Sequence, residues 1–287
     1  MTGTFAGLTT IEHDDEEKED AGKWLIHGPQ GSGKSTLAST IASTGKTLYI
    51  DLVGEKGQRS FKGAPYYKNI TIVRPTSVTQ LDDIFYTLDS GDHDYVAVII
   101  DSLTALQRMA LRYVMRYTET SVREIKQGTA PADQRTWGEA LNIMSDTAVF
   151  WYGLADGNRE KPLHVIMTSQ TKVLENELTG EKSRQPDVQP GALRITLAAP
   201  DYVLYTDLEI DPESDDEDDS YRHIVRFGGN PEYRTKARIP VNLRGKLPSV
   251  LGRKSAPDLA KLSRVLGIGG AQAPTARKKA PTKTPAK

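Results

Sequence analysis

The run Gly28-Pro29-Gln30-Gly31-Ser32-Gly33-Lys34-Ser35, followed by Thr36, spells G-x-x-x-x-G-K-S, a spacing that wraps main chain around a polyphosphate. Its glycines let successive N–H groups turn inward. Lys34 is placed to neutralise β- and γ-phosphate oxygens, and the Ser35 hydroxyl can ligate Mg²⁺. The pattern implies a nucleoside-triphosphate site using ATP and Mg²⁺, provided a strand leads in and a helix leads out. A second chemical signal is Val96-Ala97-Val98-Ile99-Ile100-Asp101-Ser102. An apolar strand ending in Asp101 delivers a carboxylate beside such a loop, where it holds the Mg²⁺ hydration shell.

The elements around these residues have the required character. Lys23 to His27 is a short apolar run of the kind found in buried parallel strands, and Thr36 to Ala42 reads as the first turns of a helix. Further strands are expected at 46–51, 69–73, 95–100 and 164–168, with helices at 77–88, 103–117 and 136–154. This alternation predicts an α/β class fold, a mostly parallel sheet flanked by helices. The style then changes to an antiparallel extension. Residues 202–210 and 221–227 alternate as a hairpin around an acidic turn, 233–239 read as a third antiparallel strand, and 258–266 as a short helix.

Composition bounds the rest. The chain has 287 residues, 37% hydrophobic and 26% charged, close to ordinary globular usage. It has no cysteine, which excludes disulfides and thiolate metal sites and fits a reducing cytoplasm. The five histidines (13, 27, 93, 164, 223) show no zinc-ligand spacing. No apolar run suggests a membrane span. A formal net charge of −1 conceals segregation: 14–20 and 213–219 are acidic blocks, while 252–287 carry nine Lys/Arg against one acid, Asp258. The expected organisation is an acidic flexible leader (1–22), an ATPase domain (23–250), a short helical or linker segment (251–268) and a basic disordered tail (269–287).

Three segments together carry a family resemblance. Ile100-Asp101-Ser102-Leu103 resembles the Asp-Ser segment of RecA-like P-loop ATPases, and His164 to Gln170 resembles their next strand, which ends in glutamine. Thr235-Lys236-Ala237-Arg238 resembles their Lys-x-Arg element. The order spans roughly residues 23–245 and is most similar to phage-encoded RecA-like single-strand annealing or recombination ATPases. That resemblance implies a RecA-like core in which Gln170 senses the γ-phosphate, while Lys236 and Arg238 act on a neighbouring subunit's nucleotide. It implies homo-oligomers (ring or filament), single-stranded DNA as partner, a single-strand binding protein as a further partner, and host cytoplasm as the location.

The resemblance also implies a glutamate soon after the second strand, to orient the attacking water. Glu55 is the first available, although its spacing from Asp51 is longer than the family's, and Asp51 is the fallback. Two polar segments, 119–135 and 171–193, match the family's DNA-binding loops and read as long loops without a core pattern. Arg123 and Lys126 in the first, and Lys172, Lys182 and Arg184 in the second, are the candidate phosphate contacts. Two other readings fit the same motifs: a helicase-type motor or loader, and a nucleotide-switched DNA-binding protein with negligible turnover.

Overall fold

The computed structural model describes residues 4–5, 8–9, 21–52, 56–117, 132–212, 214 and 221–268. The acidic leader block, Glu55, Arg123, Lys126, most of the acidic turn and the basic tail lie outside them. Near the N-terminus, Thr4–Phe5 pairs antiparallel with Leu8–Thr9.

Six strands form the parallel part of the sheet: β1 (Lys23–Gly28), β2 (Thr47–Asp51), β3 (Ile70–Val73), β4 (Ala97–Asp101), β5 (His164–Glu175) and β7 (Tyr202–Ile210). Their order is β3-β2-β4-β5-β1-β7, so β5 separates the loop-bearing β1 from β4. Beyond β7 come β8 (Tyr221–Arg226) and β10 (Val250–Leu251), both antiparallel. The fold is thus an α/β P-loop NTPase fold with antiparallel strands at its C-terminal end.

Buried parallel strands are apolar on both faces, and each face here has its own core. Leu25, Leu48, Ile50, Val98, Ile100 and Met167 lie under α2 (Val78–Asp89), α3 (Leu103–Tyr117) and α4 (Gln134–Gly153). Trp24, Ile26, Tyr49, Ile99 and Ile166 lie under α1 (Lys34–Ser39) and α6 (Leu259–Val265). Helix starts carry the expected caps: Ser77, Asp133 and Asp258 each accept an N–H from the first turn. Leu259 and Leu262 of α6 are core residues, and the Leu259 N–H donates to Thr40 Oγ1 at 2.8 Å.

Two expectations need correction. Residues 171–193 are not a long loop. β5 continues to Glu175, β6 (Lys182–Pro186) returns antiparallel against it, and α5 (Pro190–Ala198) begins within the same stretch. The outer half of this arm is exposed, its apolar Val173 and Leu174 included, so cross-strand main-chain bonding holds it without a buried face. The third antiparallel strand is also shorter than 233–239: only Lys236–Ala237 (β9) pairs, with the start of β7.

Two core histidines are held neutral. His164 Nδ1 accepts the Gly22 N–H at 3.0 Å, and burial pushes its pKa down to about 4. Burial similarly drives His27 down to about 3, with Lys34 adding to the effect. The unfolded chain takes up these protons near pH 6.5 and the folded chain does not, so stability is full above that pH and is lost as pH falls towards the folded values. Urea unfolding should show each histidine costing about 2 kcal/mol at pH 5 relative to pH 7. His164→Gln, which keeps an acceptor but not the titration, should flatten part of that dependence.

Candidate active site

The cradle is built at the carboxyl end of β1, where Gly28 stands in register with Gln170 of β5. A side chain on Gly28 would meet Thr206 Oγ1 at 2.2 Å and Ser32 Oγ at 2.6 Å, so the turn packs directly on β7. Ser32 Oγ donates to the Pro29 carbonyl at 2.8 Å and lies 2.7 Å from Thr206 Oγ1, which fixes the loop's shape. Gly33 takes the left-handed conformation, φ 90°, where it precedes α1, and His223 of β8 covers it. No side chain caps α1, which leaves the first-turn amides of Ser35 and Thr36 directed at the cradle. Pro29, Gln30 and Gly31 form its exposed rim.

Lys34 is buried, and its Nζ donates to the carbonyls of Gly28 (3.0 Å) and Pro29 (2.7 Å) and to Gln170 Oε1 (3.5 Å). The ammonium therefore sits between the loop and Gln170, which does not end its strand as expected but lies within β5, five residues before Glu175.

Sheet-face parity assembles the second half of the site. Tyr49 of β2, Asp101 of β4 and Thr168 of β5 all point to the α1 side, and Ser35 on α1 faces them. Ser35 Oγ donates to Asp101 Oδ2 at 2.8 Å; Tyr49 OH donates to the same oxygen, and Thr168 Oγ1 donates to Oδ1. Burial and the Asp101 charge push the Tyr49 hydroxyl's pKa far upward, so it remains a donor. Three hydroxyls thus orient one buried carboxylate. Gly57, which opens the short 3₁₀ helix Gly57–Phe61, closes over them: a Cβ there would lie 2.2 Å from Asp101 Oδ2.

Asp51 ends β2 in register with Asp101 but has different partners. Its Oδ1 accepts the Lys56 N–H at 3.1 Å and its Oδ2 pairs with Arg74 Nε at 2.8 Å. Asp51 therefore ties Lys56 and Arg74 to the end of β2, and Glu55 lies outside the described residues.

A family model described as an AAA domain matches residues 21–239, about three quarters of the chain. The chain belongs to that family. No curated protein sequence matches it. The AAA assignment makes the cradle that of a P-loop ATPase, whose chemistry is nucleotide hydrolysis with a divalent cation. The donor set fits both groups. Uncapped helix amides and Lys34 suit the phosphates, and Ser35 with Asp101 would hold Mg²⁺, which supplies charge neutralisation at the phosphate oxygens.

The AAA chain does not bring every predicted residue to this place. Lys236 and Arg238 lie near Tyr202 and Asp201, at the amino end of β7 and beside Lys23. Five residues of strand separate that end of β1 from Gly28, about 16 Å at the usual rise. There Lys236 Nζ donates to the carbonyls of Leu197, Ala198 and Pro200, closing the end of α5. Arg238 pairs with Asp201 at 2.6 Å and is largely exposed.

The arm's cations are all engaged within the chain. Lys172 Nζ donates to the Val188 carbonyl at 2.6 Å, Lys182 faces Glu175 at 3.6 Å, and Arg184 pairs with Glu232 at 2.5 Å over the Tyr233 ring. The arm's exposed side chains include the apolar Val173, Leu174 and Leu178.

Sequence reasoning missed Tyr49, Thr168, Thr206 and Gly57. Tyr49 had a usable signal, since it stands two residues before Asp51 on a strand and so shares its face parity with the end of β4. The other three are defined by contacts across the sheet or between β4 and the Gly57–Phe61 turn, which no local pattern encodes.

Proposed function

We propose that this AAA-family chain is a RecA-like, DNA-binding ATPase that promotes recombination or single-strand annealing, in a ring or filament whose subunits complete one another's sites. The supporting observation is a separation. Lys34, Asp101 and Gln170 converge at the carboxyl end of the sheet, while Lys236 and Arg238 are held at the amino end, beyond reach of their own cradle. Arg238 is therefore available only to a neighbouring copy's phosphates, the logic of an arginine finger. Glu55, four residues after Asp51 in the sequence, is the carboxylate we assign to the attacking water.

Gln170 supplies the link to the DNA side. Its N–H donates to Thr104 Oγ1 at 3.1 Å, Thr104 donates to the Asp187 carbonyl at 3.2 Å, and the Asp187 N–H returns to the Gln170 carbonyl at 2.7 Å. A change sensed by Gln170 would reach α3 and the segment after β6 through these three hydrogen bonds.

The test is ATP turnover titrated with single-stranded DNA, with oligomer size followed in the same samples. DNA should raise turnover in step with assembly. Arg238→Ala should lower turnover about tenfold or more while leaving nucleotide affinity unchanged. An isolated protomer that turns over at full rate and ignores DNA would rule the reading out. A nucleotide-switched binding protein is the second reading, favoured by the engagement of both Asp51 oxygens; DNA binding gated by ATP without turnover would select it.

A further inference from the structure

Seven described arginines outside α3, Arg74, Arg135, Arg159, Arg184, Arg222, Arg238 and Arg253, make ion pairs. Helix α3 instead gathers three that do not on one stripe. Arg108, Arg112 and Arg116 recur every four residues, are exposed, and have no ion-pair partner among the described residues. α3 itself contains no acid. Like charges at this spacing repel and cost a helix a few tenths of a kcal/mol per pair, so an unrelieved stripe needs a compensating anion.

The stripe also lies in a concavity. The three arginines line a groove of about 160 Å³ between α3 and the start of α2, together with Thr76, Ser77 and Tyr113. Val78, Ala105 and Met109 give it an apolar floor, and no acidic residue lines it among the described residues. A low-dielectric wall beside clustered charge focuses the field and favours anion capture.

We infer that this groove binds the phosphodiester backbone of single-stranded nucleic acid through Arg108, Arg112 and Arg116. The inference rests on the DNA-binding reading above and adds a site that the loops do not supply. Guanidinium forks match phosphate oxygens, and eight residues of helix spread three of them over about 12 Å, longer than one phosphate group. That length selects a polymer over a mononucleotide. The groove is also wired to the cradle, because α3 starts directly after Asp101-Ser102 and its Thr104 holds the Gln170 N–H.

The test is fluorescence anisotropy of a labelled oligothymidylate across a salt series, using the full chain with a non-hydrolysable ATP analogue. Arg108→Gln/Arg112→Gln/Arg116→Gln should bind at least about tenfold more weakly and lose about 2 from the slope of log affinity against log salt, at about 0.7 per phosphate contact. The triple Arg→Lys variant should keep the slope, which a purely structural role would not predict. Fluorescent-nucleotide binding and melting temperature, unchanged in both variants, establish that they fold. If wild type binds and the triple glutamine variant matches it in affinity and slope, the groove assignment is wrong and the DNA-binding reading survives. If wild type binds no oligonucleotide at all, both fall.

Discussion

Lys34→Ala abolishes ATP turnover, with an expected loss of at least about a thousandfold, or roughly 4 kcal/mol of transition-state stabilisation. Lys34 is the one cation among the described residues that the structure places inside the cradle, reaching the Gly28 and Pro29 carbonyls and Gln170 together. Alanine removes the charge opposite the β/γ phosphates and leaves two loop carbonyls without their donor, so affinity and turnover fall together. Phosphate release measured at saturating ATP, with circular dichroism to show an intact fold, decides the matter. Turnover within tenfold of wild type would remove Lys34 from the chemistry.

Gly57→Ala should disable the metal side of the same site while leaving Lys34 and its phosphate contacts in place. Its Cβ would lie 2.2 Å from Asp101 Oδ2, 2.4 Å from Tyr49 OH and 2.8 Å from Ser35 Oγ. Asp101 and Tyr49 are buried and bonded to each other, so neither can move aside freely. Either the 3₁₀ turn lifts or the carboxylate rotates away from Ser35, and each outcome spoils the Mg²⁺ position. A magnesium titration of fluorescent-nucleotide binding should shift about a hundredfold, for a stability change of only about 1–3 kcal/mol. An unchanged magnesium midpoint would show that the turn is not packed against the metal ligands.

The difference between these two residues shows what was legible in the chain. Lys34 is set by a contiguous motif: its neighbours in space are its neighbours in sequence, so spacing alone assigns its chemistry. The strands were legible too, because buried parallel strands are unbroken apolar runs and the helices between them carry periodic faces and caps. The arm 171–193 was not, because exposed strands held by main-chain bonds bury no face and so leave no alternation to read. Gly57 was not either, since its role depends on a turn folding back over β2 and β4.

Spacing and periodicity alone specify a P-loop, a strand that ends in Asp101, a strand that carries Gln170 and a parallel α/β frame. Each of these is local, written in spacing and periodicity. Only the tertiary structure decided that Tyr49, Thr168 and Ser35 all donate to Asp101, because that follows from strand order and the parity of one sheet face. Only it decided that Asp51 holds Arg74, and that Lys236 and Arg238 sit at the far end of the sheet from Lys34. Residues distant in sequence meet through register across β1, β5 and β7, and register is a property of the packed sheet, not of any one segment.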